Sequence, residues 1–201
     1  MRNDYVLIAL LLLAAFTYQH WKGQQEKFYP GAVAPSQPVQ EADNSLRTFS
    51  RDEFTIHPFA RFQVNALVLS AQHYFWGEET KLAPVDLALG WGPMSDGNVL
   101  KDISVSQGNR WYFYTYKTTS IPPNEIISHS GNMHLIPSTD EIEKTIKRVH
   151  KGDVVEFTGY LVDITKNDGW HWNSSRSRTD SGGGSCEVVW VNDFHIADRQ
   201  N

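Results

Sequence analysis

The sequence predicts a mainly β fold with one short helix, arranged as a small closed or partly open barrel behind an N-terminal transmembrane helix. Three observations predict this class: an apolar run near the amino terminus, several stretches in which apolar and polar residues alternate, and one amphipathic helical segment. The 201 residues suffice for one domain of ordinary size with an anchor and a linker. We therefore expect an anchor over residues 1–22, a Pro-rich linker over 23–45 and a single barrel-like domain over 46–201.

The anchor prediction rests on the apolar run from Tyr5 to Phe16, which reaches about seventeen residues if it is continued to Trp21. At ~1.5 Å per residue such a helix spans ~25 Å, slightly less than the hydrocarbon core of a bilayer. Trp21 lies where an interfacial aromatic belt is expected, and Lys22 follows it. A cleaved signal peptide is the alternative, but residues 13–15 match a cleavage site poorly. A buried core helix would need an amphipathic face, which this run lacks.

Few charges determine the expected orientation of the anchor. Arg2 and the amino terminus weakly outweigh Asp4, while Lys22 and Lys27 follow the run. With the usual orientation the domain lies outside the cytosol, so we expect a single-pass protein of the bacterial inner membrane with its domain facing the periplasm. The polar, Pro-rich stretch over 23–45 is typical of a semi-extended spacer. The expected partners are therefore the membrane and a cell-envelope ligand or protein.

Four stretches predict strands. Apolar residues occupy the even positions of Ala60–Ser70, and a second run, Val85–Trp91, ends in the turn residues 90–93. Trp111–Tyr116 is the most aromatic stretch of the chain and is strongly β-prone. Cys186–Ile196 is a closing strand, and we expect five of its even positions to share one face: Cys186, Val188, Trp190, Phe194 and Ile196.

The one predicted helix follows Pro137 and begins with a capping box from Ser138 to Glu141. Three apolar residues fall on one face of it: Ile142, Ile146 and Val149. Gly152-Asp153 ends the helix and opens a long strand to Ile164, with a bend or bulge expected at Gly159. This succession, over about 45 residues, resembles OB-fold proteins, and the resemblance implies an OB-like barrel.

The composition limits the possible functions. A net charge of −5 and an isoelectric point near 5.9 disfavour nucleic acid, because affinity for phosphates depends mainly on Lys and Arg. Hydrophobic residues make up 40% of the chain, which is enough to bury a core. Cys186 is the only cysteine, which excludes an intrachain disulfide and a multi-thiolate zinc site. We predict no nucleic-acid partner, no metal and no cofactor.

Two stretches are rich in reactive groups and are expected to form irregular loops, over residues 128–137 and 170–187. Their Asn-Met-His-Leu-Ile-Pro and Gly-rich-Cys-Glu phrases resemble an uncharacterised group of bacterial membrane-anchored proteins, a resemblance that implies no function. Aromatic and cationic side chains of the second loop suit stacking on a sugar or clamping a carboxylate or phosphate. The candidate ligand-binding residues are Asn132, His134, Trp170, Trp172, Arg176, Arg178 and Asp180.

A structural role for the same residues is the competing interpretation. The tryptophans would then fill one end of the barrel, and the arginines would pair with Asp168, Asp180 or Glu187. We expect a membrane-anchored, extracytoplasmic binding or assembly module, and the sequence leaves its ligand open.

A cysteine-dependent transpeptidase or hydrolase is the alternative function, since a thiolate needs a neighbouring imidazole. Cys186 would be the nucleophile and His129 or His134 the base. The order of His129, a helix, Gly152-Asp153, Cys186 and then Arg199 resembles sortases, which are membrane-anchored β-barrel transpeptidases. The sequence departs from sortases in that Cys186 begins a strand after a glycine run. Its other interpretation is a small buried residue on the last strand.

Histidines and acids that could bind a metal are present, but no tight ligand spacing connects them. The residues in question are His129, His134, His171, Asp153, Asp180 and Glu187. A hydrogen-bonded or exposed role is therefore the expectation for each histidine.

Overall fold

A computed structural model of the chain describes residues 29–177 and 186–197. The predicted anchor over residues 1–22 lies outside the described residues. Among the helices that are described, none is long and apolar enough to cross a membrane. The ten strands described are β1 Val39–Ala42, β2 Phe49–Arg51, β3 Phe54–His73, β4 Val85–Gly90, β5 Ile103–Gly108, β6 Trp111–Tyr116, β7 Ser130–Pro137, β8 Val154–Lys166, β9 His171–Trp172 and β10 Glu187–Ile196. The helices described are α1 Gly97–Leu100, α2 Pro123–Ser128 and α3 Asp140–Ile146, with short 3₁₀ turns at Glu79–Lys81 and Gly92–Ser95.

Eight of the strands form one sheet in the order β1-β3-β4-β7-β10-β8-β9, with β2 beside β3. Because β3 pairs with β8 as well as with β4, this sheet is partly ring-like. The pair β7–β10 is parallel and the other pairs of the sheet are antiparallel. Strands β5 and β6 form a separate hairpin. The prediction of a mainly β chain is confirmed, and three short helices are described where the sequence predicted one.

The core inside the ring is built from alternate residues of its strands, such as Val64, Leu87 and Phe157. Helix α3 packs against this core through Ile146, its last residue, and Val149 packs there from the segment that follows, so both apolar residues reach the core although the helix ends earlier than predicted. Its N-cap is Thr139, whose side chain accepts a hydrogen bond from the backbone N–H of Ile142. The cap therefore lies one residue after the predicted Ser138. Either hydroxyl could accept a hydrogen bond from the backbone N–H groups of the first helical turn.

Residues 29–45, the described part of the predicted linker, do not form a free spacer. From Tyr29 onward the chain packs on the domain: Ala34 is fully buried and its backbone N–H donates to the Ser95 hydroxyl. Residues 39–42 form β1, which pairs with β3. Only isolated apolar residues of this segment contact the sheet. Its sequence therefore has no alternation of apolar and polar residues from which a strand could be recognised.

The expected loop over 128–137 is also different, because residues 130–137 form β7 between β4 and β10. Met133 and Leu135 face the interior of the ring, and Asn132 and His134 face the other side of the sheet. Both sets are buried. The polar side chains made the stretch look irregular, although they follow the period of two that is typical of a strand.

The expected common face of Cys186–Ile196 is wrong because β10 contains a bulge. The pairing of β10 with β8 shifts register between Val191 and Asp193. One extra residue reverses the sides of all later side chains. Val188 therefore packs outside the ring, whereas Phe194 packs inside it.

Candidate functional site

The outer face of β4 and β7 carries a row of buried polar side chains. In the antiparallel register, Asp86 lies opposite His134, and Ser130 and Asn132 lie further along β7. The β5–β6 hairpin covers this row: Gln107 donates to the Asn132 amide oxygen at 2.6 Å. At most 4% of any of the four row side chains is exposed. Polar side chains that are buried so close together need hydrogen-bond or ion-pair partners.

Arg110, in the turn of the hairpin, contacts two of the row side chains, Asp86 and Asn132. Both turn residues have positive φ, 52° at Asn109 and 68° at Arg110, as a tight two-residue hairpin requires. The Arg110 guanidinium donates to Asp86 Oδ1 at 2.7 Å, to the Ala83 carbonyl at 2.9 Å and to Thr80 Oγ1 at 3.0 Å. This turn therefore fixes the hairpin to β4 and to the loop that precedes it.

Asp86 also lies beside His134. The Oδ2 and Nδ1 atoms are 2.9 Å apart, which is an ion-pair distance, although their relative orientation does not make a hydrogen bond. The Trp172 ring covers the imidazole with centroids 4.8 Å apart. Asp86, Arg110, His134 and Trp172 thus form one cluster, which we call the buried charge cluster.

Tyr74 borders the buried charge cluster. Its ring lies 3.8 Å from the Arg110 guanidinium carbon, and its hydroxyl accepts a hydrogen bond from the Arg110 backbone N–H at 3.1 Å. Burial, followed by the negative charge of Asp86, raises the pKa of Tyr74 to about 12. The phenol is therefore protonated at neutral pH and keeps its hydrogen-bonding role.

Cys186 lies at the other side of the Arg110 backbone. Its Sγ is 3.7 Å from both the Asn132 side-chain nitrogen and the Arg110 carbonyl oxygen. The Asn132 amide also donates to that carbonyl at 3.1 Å. Four of the residues singled out from the sequence, Asn132, His134, Trp172 and Cys186, therefore come together around Arg110.

The two candidate bases do not engage the thiol. The His129 Nδ1 lies 3.1 Å from Ser128 Oγ and 3.0 Å from the Glu125 carbonyl oxygen, at the start of β7, and His134 faces Asp86. Between the described residues, no hydrogen bond joins Cys186 to either imidazole. Within residues 29–177 and 186–197, Cys186 therefore makes no hydrogen bond to a histidine of the kind that cysteine enzymes need.

The other predicted ligand-binding residues are distributed differently. Trp170 packs edge-on against Phe54 at 5.5 Å. Arg176 pairs with Asp163, and its guanidinium carbon lies 3.5 Å from the Phe59 ring. Both side chains therefore have structural contacts, as the competing interpretation expected, although that interpretation did not name Asp163 as the partner of Arg176. Three further residues of the sequence hypotheses lie outside the described residues: Arg178, Asp180 and Arg199.

Metal ligation finds no support in residues 29–177 and 186–197, where no three His, Cys, Asp or Glu side chains lie close enough to hold an ion. His171 is exposed, whereas Asp153 and Glu187 are buried at separate places in the sheet.

Two residues at the centre of the cluster, Asp86 and Arg110, were missed by sequence reasoning. Asp86 interrupts the apolar run of β4, and a charge within a buried strand requires a partner, which is a signal that could have identified it. The partner could not have been chosen from sequence, because Arg110 is 24 residues away along the chain.

Next to the cluster, four large apolar side chains reach the surface. Phe75 and Trp76 are 78% and 89% exposed in the loop between β3 and β4, and Trp111 and Phe113 are 39% and 55% exposed on β6. Thr80 connects the two groups, because its hydroxyl donates to the Trp76 carbonyl at 2.7 Å and accepts from Arg110. We call these four side chains the aromatic edge.

Comparisons with known proteins identify no relative: no protein-family model, no curated protein and no solved structure matches this chain.

Proposed function

We propose that this protein is a membrane-anchored, extracytoplasmic binding module, that its ring-like sheet is an OB-type barrel, and that its ligand is an oligosaccharide chain of the cell envelope. The observation that carries the proposal is the aromatic edge, in which two consecutive aromatic residues, Phe75 and Trp76, are almost fully exposed. A pair of neighbouring aromatic side chains exposed to this extent is typical of a binding site.

The order of the strands supports an OB-type barrel. If the ring strands β3, β4, β7, β8 and β10 are numbered one to five along the chain, their order around the ring is 1-2-3-5-4-1. The third and fifth are parallel, and helix α3 lies between the third and fourth in the sequence. This is the Greek-key order of an OB barrel, which the sequence resemblance also implies.

The same numbering supports the position of the ligand. OB barrels bind ligands on the face of the second and third strands and on the loops that join strands one to two and four to five. Here that face belongs to β4 and β7, and the β5–β6 hairpin already covers it. A ligand would therefore contact the outer side of the hairpin and the loop over residues 74–84. These are the two segments that carry the aromatic edge.

The chemistry of this surface favours a sugar. OB folds bind oligonucleotides and oligosaccharides. A net charge of −5 disfavours the oligonucleotide, because it is a polyanion. Aromatic faces stack on the apolar faces of sugar rings. Exposed hydroxyls flank the rings, since Ser106 lies opposite Phe113 and Ser104 opposite Thr115 in the hairpin. The proposed anchor over residues 1–22 would restrict the ligand to envelope components.

The cysteine-dependent enzyme is not the preferred function, because the arrangement of Cys186, His129 and His134 provides no nucleophile–base contact between described residues. Cys186 instead contacts Asn132 and the Arg110 backbone.

Replacing Trp76 with alanine tests the proposal. The full-length protein in detergent should sediment with purified peptidoglycan sacculi, and Trp76→Ala should weaken this binding about tenfold, equivalent to ~1.4 kcal/mol. Because Trp76 is 89% exposed, its loss leaves the core unchanged. Val39→Ala is the matched control, since Val39 is 49% exposed on β1 and is not part of the aromatic edge. Native protein that stays in the supernatant, or a Trp76→Ala variant that binds like the native protein, would contradict the oligosaccharide assignment.

A further inference from the structure

A pocket of about 330 Å³ opens beside Tyr29, where the described chain begins. Its walls are mainly apolar: Leu67 and Leu69 come from β3, Leu100 from α1 and Ile103 from β5. Its volume lies in the range of sites that hold small molecules, and such sites are lined mostly by apolar side chains. The neighbouring Tyr29 hydroxyl donates to the Gly152 carbonyl at 3.2 Å, which fixes Tyr29 at the pocket wall.

The polar side of the pocket is cationic. Two lysines line it, Lys101 after α1 and Lys151 before β8, and both residues are exposed. An apolar chamber whose lining includes two lysines suits an amphiphile with an apolar tail and an anionic head.

The position of the pocket along the chain points to the membrane as the source. Seven residues, 22–28, separate Trp21 at the end of the apolar run from Tyr29. Fully extended, they span at most ~25 Å. Tyr29, and with it the pocket, is therefore held within that distance of a bilayer that contains the anchor. Lys22 and Lys27 add positive charge to the connecting segment.

The pocket and the aromatic edge do not compete for the same space. Ile103 lines the pocket at the start of β5, while Trp111 follows the hairpin turn at the other end of that strand. At ~3.3 Å per residue the length of β5 separates them by ~15–20 Å. One end of the hairpin can therefore face the membrane while the other contacts a ligand farther out.

We propose that this pocket binds one acyl chain of an anionic phospholipid, with the phosphate of the lipid at Lys101 and Lys151. The inference rests on the membrane anchor of the proposed function and is independent of its oligosaccharide ligand. A lipid held in this way ties the domain to the bilayer surface at a second point and sets its orientation there.

Native mass spectrometry of the full-length protein, released from nanodiscs of equal parts phosphatidylcholine and phosphatidylglycerol, tests the inference. The native protein should retain one phosphatidylglycerol. Leu100→Trp places a larger side chain in the pocket and should lower the retained fraction about tenfold. Val39→Trp introduces the same side chain on exposed β1 and should behave like the native protein.

A second variant addresses the head group without altering the apolar walls. Lys101→Glu combined with Lys151→Glu should abolish the preference for phosphatidylglycerol over phosphatidylcholine, while Lys117→Glu, at another exposed site, should preserve it. Native protein without a retained anionic lipid, or both pocket variants with native retention, would overturn the inference. Failure to recover the full-length chain in nanodiscs would overturn the anchor as well, whereas the sacculi assay with Trp76→Ala reports on the oligosaccharide ligand separately.

Discussion

Asp86→Ala is expected to lower the free energy of unfolding by about 3–5 kcal/mol, because it removes one partner of a buried ion pair and leaves the Arg110 guanidinium without its counter-charge. Asp86 is fully buried and contacts Arg110 at 2.7 Å and His134 at 2.9 Å. Such a loss is a large fraction of the ~5–15 kcal/mol that stabilises a typical domain. Urea denaturation of the full-length protein in detergent, followed by circular dichroism, measures the effect.

Two further variants separate the buried charge from a general loss of structure. Asp86→Ala combined with Arg110→Met replaces both charges by apolar groups and should recover at least about half of the lost stability. Asp43→Ala removes an ion pair with Arg61, whose side chain is 56% exposed, and should leave the denaturation midpoint nearly unchanged, because exposed ion pairs contribute little to stability. Equal losses in all three variants would show that the buried charge cluster does not hold the hairpin on the sheet.

Gly159→Ala is expected to be similarly destabilising, at about 3 kcal/mol or more, because no side chain fits at this position. A Cβ atom on Gly159 would lie 1.9 Å from the Trp190 carbonyl oxygen and 3.1 Å from the Val191 Cα, so β8 and β10 would have to separate. Both contacts are backbone atoms, which cannot rotate away as a flexible side chain can. Thermal denaturation of the variant, compared with the native protein, measures the loss.

Gly108→Ala is the matched control for Gly159→Ala, since no atom lies within 4 Å of the Cβ position at Gly108. It should change the stability by less than ~1 kcal/mol. Native stability of Gly159→Ala would mean that β8 and β10 do not approach each other as closely as described.

The strands with a regular period of two were predictable from the sequence. Phe62, Val64 and Ala66 alternate with the polar residues Arg61, Gln63 and Asn65, and the structure buries all three apolar side chains. The apolar face of α3 follows the same logic with a helical period. In each case one face contacts the core and the other is more exposed to solvent, so the pattern of hydrophobic residues alone distinguishes the two faces.

Strand β7 was missed although its residues follow a period of two, because the polar side chains on its outer face are buried and not exposed to solvent. Its outer face carries Asn132 and His134, whose polarity is compensated by the hairpin and by Asp86. That compensation comes from residues that are distant in the sequence, and hydrophobicity does not reveal it. For the same reason the 128–137 stretch was expected to be a loop.

The residues of the candidate site were also only partly predictable from the sequence. The reactive residues Cys186, His134 and Asn132 were recognisable by type, but their partners depend on the pairing of β4, β7 and β10. Trp76 was not among the candidate binding residues from the sequence. Its exposure depends on the loop between β3 and β4, and no local sequence pattern indicates it.

The most direct test of oligosaccharide binding at the aromatic edge uses the indole N–H signals of the full-length protein in detergent. On titration with soluble muropeptides, the nuclear magnetic resonance signals of Trp76 and Trp111 should shift, with assignments made by Trp→Phe variants. The Trp91 signal should stay in place, because its ring is fully buried and its Nε1 donates to Gln37 Oε1 at 2.9 Å. An unchanged spectrum, or shifts confined to Trp170 and Trp190, would contradict the proposed binding surface.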